Sequence, residues 1–152
     1  MRGVLVIYIL FFMLSVSACS EQGCNPTRNN IVSLGLFLAS TKAPTSYTCD
    51  SIYIDDKSYL IYKDTTISIV RIPLPYDKDS AMIVFKRNKV VKPDTLFLHY
   101  RRTFYLVSPT CDYDMKVSDL KVTKTSFLRT EIAISEILID ATNPQTHIKI
   151  YN

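Results

Sequence analysis

A chain of 152 residues, 47% hydrophobic and with a net charge of +4, is long enough for one core of ordinary size and too short for two. Its 18 basic and 14 acidic residues are scattered rather than gathered into a stripe, which argues against a nucleic-acid partner. With two histidines, no G-x-S-x-G and no C-x-x-C, neither a hydrolase elbow nor a cysteine zinc site is written in the chain.

The amino end has three parts: one positive charge at Arg2, an apolar run from Val4 through Leu14, and the small or slender residues Ser15 to Ala18 before Cys19. That order is a secretion signal. A transmembrane helix needs roughly 20 apolar residues, and this run meets the polar Ser20-Glu21-Gln22 too soon. Val16-Ser17-Ala18-Cys19 resembles the lipobox of bacterial lipoproteins, which implies removal of residues 1–18 and acylation of the Cys19 sulfur and new amino group. Each buried methylene of those chains adds ~0.8 kcal/mol, so a multiply acylated Cys19 stays in the membrane. The residue after the cysteine is Ser20 rather than an inner-membrane aspartate, which points to the outer membrane.

Residues 19–30 read as a short polar tether with Pro26 blocking regular structure, and residues 31–152 as a single domain. Ile31 to Leu38 alternates Val32, Leu34, Leu36 and Leu38 against Ile31, Ser33, Gly35 and Phe37, the pattern of a strand with one fully apolar face. Thr48 to Ile54 and Ser58 to Tyr62 flank Asp55-Asp56-Lys57 as a hairpin. Thr66 to Ile72 continues until Pro73 and Pro75, which remove ladder donors and predict an edge or a crossing between sheets. Ala81 to Phe85 is the next strand, followed by a basic loop, Lys86 to Lys92.

Thr95 to Arg101 places Leu96, Leu98 and Tyr100 on one face, and Thr103 to Val107 repeats the alternation. Tyr113 to Val117 and Leu120 to Val122 read as one strand bulged at Ser118-Asp119. Phe127 to Asp140 fits helix and strand periods alike; its isoleucines favour strand. His147 to Tyr151 closes the chain with Ile148 and Ile150 inward. The sum is an all-β chain, an antiparallel β-sandwich for which an immunoglobulin-like arrangement is one candidate, in which Asn, Asp, Ser and Pro must make the turns because only Gly23 and Gly35 survive cleavage.

Ile72-Pro73-Leu74-Pro75, Asp94-Thr95-Leu96-Phe97-Leu98, Tyr105-Leu106-Val107-Ser108-Pro109-Thr110-Cys111 and Ile148-Lys149-Ile150-Tyr151 together resemble an uncharacterised family of lipoproteins from Bacteroidetes-type bacteria. The resemblance covers most of the mature chain and is strongest from Thr66 to Tyr113. That family also carries a cysteine just before the first strand, as Cys24 stands here. This chain departs from it with Asp112 in place of the glycine after the second cysteine, and with the additional Cys49. The resemblance implies an envelope location and a β fold, and supplies no catalytic residue.

Candidate functional residues are correspondingly few. His99 and His147 each read as solvated strand residues opposite apolar neighbours, without a nucleophile and orienting group in sequence reach. Asp55-Asp56, Asp77-x-Asp79 and Asp112-x-Asp114 are turn formers before they are calcium ligands, since no one cluster supplies six oxygens. Among the tyrosines, Tyr59, Tyr62, Tyr100 and Tyr105 are candidates to stack on sugar rings. Arg101-Arg102 and Lys86-Arg87-Asn88-Lys89 read as solvated basic loops. The sequence therefore predicts a non-enzymatic binding or assembly module without cofactor or metal. Its expected partners are the membrane through the lipid on Cys19 and an envelope protein or glycan.

With Cys19 acylated, Cys24, Cys49 and Cys111 leave one bridge and one odd thiol in an oxidising compartment. Three pairings are open. Cys24 with Cys111 closes the longest loop, worth ~4.6 kcal/mol by chain entropy against ~3.5 for Cys24 with Cys49. It would also staple the tether to a proline-marked turn. Peptide mapping without reduction should recover one cross-linked pair containing Cys24 and Cys111, and a Cys24→Ser chain should lose it.

Overall fold

A computed structural model of the chain describes residues 30–55, 59–87, 92–108, 111–137 and 145–152. These residues form nine strands: β1 (Ile31–Phe37), β2 (Tyr47–Ile54), β3 (Tyr59–Ile67), β4 (Ile69–Pro73), β5 (Ser80–Lys86), β6 (Asp94–Ser108), β7 (Cys111–Thr125), β8 (Arg129–Ile132) and β9 (Ile148–Tyr151). No described residue is helical. The strands build a four-stranded sheet in the order β4-β1-β9-β8 and a five-stranded sheet in the order β3-β2-β5-β6-β7.

The two sheets pack as a sandwich over the inward sets of both, among them Val32, Leu34, Val70, Ile72, Ile148 and Ile150 from one layer and Ile52, Ile83, Phe85, Leu96 and Leu98 from the other. Burying each such side chain is worth about 1.5–3 kcal/mol. Strand pairing is antiparallel except between β1 and β9, which run parallel with Leu34 opposite Ile148 and Phe37 opposite Tyr151. First and last strands thus lie side by side inside one sheet, an order that differs from the immunoglobulin arrangement.

The residue patterns explain the strand ends. Asp55, between β2 and β3, sits at φ 44° with its N–H on the Met82 carbonyl and its Oδ1 accepting the Met82 N–H at 3.0 Å. Among the described residues the left-handed positions are Lys42, Asp55, Asp64 and Asp119, so three of these four are aspartates. Asparagine and aspartate tolerate this region better than other side chains. Gly35 serves another need: a Cβ there would lie 2.7 Å from the Thr146 methyl, so the small residue lets the approach to β9 pack across β1.

Two sequence expectations change. Thr66 to Ile72 is not one strand: it divides at Ser68, where the chain leaves the five-stranded sheet for the four-stranded one. The inward set moves from Ile67 to Val70, a slip of one against a period of two. Between Phe127 and Ile137, only the four residues of β8 are strand; Ile137 then makes a single bridge to Val117. Residues 138–140 lie outside the described set.

Two further expectations agree with the structure. β4 is the edge of its sheet, and the segment after Pro73 crosses to β5 in the other. β7 is continuous through Ser118-Asp119, with a register irregularity opposite His99 to Arg101 and Asp119 at φ 53°. If that bulge depends on a left-handed residue, Asp119→Gly should leave stability within about 0.5 kcal/mol, whereas Asp119→Val should cost ~1–2 kcal/mol in urea unfolding. The exposed Arg101–Asp119 pair, at 3.0 Å, adds little to either change.

Candidate functional site

One end of the sandwich holds two features that the core does not absorb. The first is a cleft of about 340 Å³ under the crossing from β4 to β5, lined by Asn30, Ile54, Asp55 and residues 73–78. Proline at 73 and 75 keeps this segment out of the ladder, and Asn30 holds it from below. The Leu74 N–H donates to the Asn30 carbonyl at 2.8 Å, and Asn30 Nδ2 donates to the Leu74 carbonyl at 3.1 Å. The Tyr100 hydroxyl donates to the Pro75 carbonyl, and Arg102 donates to the Tyr76 carbonyl and, at 2.5 Å, to Asp79.

The charges at this end are paired. Lys78 Nζ lies 2.8 Å from Asp55 Oδ2. Partial burial would raise the Asp55 carboxyl, but the Lys78 ammonium and the Met82 N–H outweigh it and hold the group below the usual carboxylate range. The Arg102 guanidinium does the same for Asp79. The Tyr100 phenol is pushed up by burial, with Asp55, Asp79 and Asp77 adding to the shift and Arg102 opposing it. Apolar walls and satisfied polar groups suit such a cleft to receive a ligand more than to polarise one.

The second feature is the far part of the β6–β7 hairpin. β5 accompanies β6 only as far as His99, while β7 stays paired with it to Ser108. Phe104, Leu106 and Tyr113 occupy one face of this arm, since Phe104 pairs with Met115 and Leu106 with Tyr113. They are 51%, 53% and 70% exposed. The Arg102 guanidinium lies 5.8 Å from the Phe104 ring centroid. The row that is inward at Leu96, Leu98 and Tyr100 therefore continues past the core into solvent.

The sequence candidates scatter. Cys19 and Cys24 lie outside the described residues, and of Cys111 only the backbone is described, pairing with Ser108 at the start of β7. Cys49 is a buried free thiol facing the Thr65 carbonyl at 3.7 Å, and burial raises its pKa, so it is an inert core residue.

Of the four tyrosines, the three whose side chains are described, Tyr62, Tyr100 and Tyr105, form no sugar-binding row. Tyr100 is 1% exposed and belongs to the core, because the alternation that buries Leu96 and Leu98 buries it too. Tyr62 lies half-buried against the core, its hydroxyl accepting the Arg71 N–H at 3.2 Å and facing the Arg71 carbonyl at 3.4 Å. It thereby covers the open edge of β4, a strand whose free main-chain groups would otherwise invite pairing. Tyr105 donates to Asp114 Oδ2 at 3.1 Å, and Tyr59 opens β3 opposite Ile54. The exposed aromatic residues are Tyr76, Phe104 and Tyr113 instead. The length of β6, 15 residues against seven in β5, is the sequence signal that could have located them.

Among the described residues no group of three His, Cys, Asp or Glu able to hold an ion occurs; Asp56 lies outside them, and of Asp112 only the backbone is described. Arg101 and Arg102 are ion-paired with Asp119 and Asp79, and Arg87 with Asp94 at 2.7 Å. Asp94 also accepts the Tyr47 hydroxyl at 2.6 Å and the Ser126 hydroxyl at 3.2 Å, closing the opposite end of the sandwich.

Residues 45–152 match the model of a family of unknown function, DUF6452. The chain belongs to that family. No curated protein and no solved structure matches it. The DUF6452 match begins after β1, although β1 lies between β4 and β9 and the four-stranded sheet is not continuous without it.

His99 is exposed on β6, but His147 is not the solvated residue its strand pattern predicts. It is 5% exposed, and its Nδ1 accepts the Ser33 N–H at 3.0 Å. Its own N–H donates to the Ser33 carbonyl, and its carbonyl accepts from Ala133 and Ile134. An acceptor Nδ1 must be unprotonated, and burial lowers the pKa of the ring. In the unfolded chain the imidazole titrates near 6.5. The stabilisation is therefore complete above about pH 7 and falls as the unfolded state takes up a proton below that value. Urea unfolding from pH 7 to 5 should show stability dropping by up to ~1.4 kcal/mol per pH unit. A His147→Gln chain, whose amide oxygen can still accept from Ser33, should lose that slope.

Proposed function

We propose that this DUF6452 protein is a lipid-anchored module of the cell envelope, held through acyl chains on Cys19 and acting by binding or assembly rather than by catalysis. The observation that carries the binding role is the end cleft. Its walls are Ile54, Leu74, Tyr76 and two prolines, and Asp55 with Lys78 at its rim forms an ion pair. A general base would need a histidine or carboxylate free to take a proton. The buried histidine instead commits its acceptor nitrogen to the Ser33 main chain, and Asp55 and Asp79 are held ionised.

The three-part amino end with Cys19 at its close supports the anchor, and Ser20 after it supports the outer membrane. The motif resemblance to lipoproteins of Bacteroidetes-type bacteria adds to the same reading. The sugar-stacking alternative loses Tyr100 to the core and is not retained.

Intact mass of protein extracted from membranes should correspond to a chain beginning at Cys19 with diacylglycerol and an amide-linked chain attached. A Cys19→Ser chain should keep its opening residues and lack the lipid mass. A photo-crosslinking residue at Tyr76, but not one at Leu128 on the far side, should give discrete adducts in the envelope. An unmodified Met1 on the wild-type product overturns the anchor, and identical patterns from both positions overturn the cleft.

A further inference from the structure

The apolar face of the β6–β7 arm is buried at Met115 and Val117 and opens to solvent toward the tip, at Phe104, Leu106 and Tyr113, and the place of that tip in the fold indicates what meets it. Asn30, where the tether enters the domain, is hydrogen-bonded to Leu74; two residues on, the Tyr76 carbonyl takes a hydrogen bond from Arg102; and Arg102 stacks over Phe104. Tether entry and exposed face are thus joined by a short chain of contacts at one end of the sandwich. Eleven residues separate Cys19 from Asn30, so the tether spans at most roughly 40 Å when fully extended.

The composition of the face fits one environment. Phe104, Leu106, Tyr113 and the neighbouring Tyr76 put two phenol rings, a phenyl ring and a leucine outward together. Arg102, ion-paired with Asp79, lies at their base beside Phe104. Rings with one polar end and aliphatic groups are side chains that collect at the boundary between lipid and water.

We propose that this arm is a second membrane contact: Phe104, Leu106 and Tyr113 seat in the interfacial region of the bilayer that holds the tether and fix the orientation of the domain. The inference rests on the membrane-anchored reading only for proximity. Each lipidated molecule would hold its arm at a high effective concentration over the surface, so three side chains suffice where they would not in a free protein. With the arm down, the cleft at the same end opens close to the headgroups.

The chain contains no tryptophan, which permits a single-site reporter. Full-length chain with Cys19→Ser and an amino-terminal hexahistidine tag is held on phosphatidylcholine–phosphatidylglycerol vesicles through nickel-chelating lipid, so that attachment does not depend on natural acylation. With Tyr113→Trp, replacing the lipid by its brominated form should lower emission at least twofold and shift it to the blue. With Leu128→Trp, at the opposite end of β7 and 78% exposed, emission should not change. Adding Phe104→Asp and Leu106→Asp to the first reporter should abolish the quenching, with unchanged far-ultraviolet dichroism as the control for folding.

Vesicle-bound Tyr113→Trp chain whose emission is no more quenched than that of the Leu128→Trp chain overturns the proposal. A blue shift of the Tyr113→Trp reporter that arises without vesicles and grows with protein concentration overturns it in favour of a second copy of the chain. The mass measurement on Cys19 is separate: a lipidated Cys19 with an unquenched arm rejects the arm alone, and a quenched arm with an unlipidated Cys19 rejects the anchor alone.

Discussion

The domain depends on the parallel pairing of its first strand with its last. β1 has β4 on one side and β9 on the other, and β8 reaches the sheet only through β9. His147 places the lock on this pairing. Its ring and its main chain both bond to Ser33, 114 residues away in sequence, and its carbonyl gathers the segment after β8. The terminal Asn152 continues the join, donating to the Phe37 carbonyl and accepting from the Ala39 N–H. A sheet closed by contacts of such separation incurs a large loop-closure entropy before any of its core is buried.

The five-stranded sheet is made differently. β2–β3, β5–β6 and β6–β7 are hairpins between consecutive strands, each with local register. It supplies Phe85 and, with Tyr47 and Phe127, an edge-to-face aromatic cluster whose ring centroids lie 5.2–6.4 Å apart. The cluster and the Asp94 network close one end of the sandwich. The other end, where the tether enters, keeps a cleft and an apolar arm. The molecule is polarised along its strands, with the aromatic cluster at one end and the cleft and exposed apolar side chains at the other.

Much of this was legible in the residues. Period-two alternation placed β1, β5 and the inward row Leu96-Leu98-Tyr100, the prolines at 73 and 75 placed the crossing, and the polar Ser118-Asp119 inside an apolar run placed the bulge. Two kinds of information were not local. The break at Ser68 leaves the alternation looking unbroken, because isoleucines stand on both sides and only the identity of the facing sheet changes. His147 resembles a solvated strand residue until Ser33 is known to lie beside it. Tyr62 illustrates the same point for the candidate site: the β-rich phrase that contains it could not show that its hydroxyl would cap the edge of a neighbouring strand.

Joining the chain's two ends has a bearing on its biogenesis. Ile148 follows its partner Leu34 by 114 residues (148 − 34), so β1 and β4 leave the ribosome long before the strand that completes their layer. Until β9 emerges, one side of β1 stands as an unpaired apolar edge for a holding chaperone to cover.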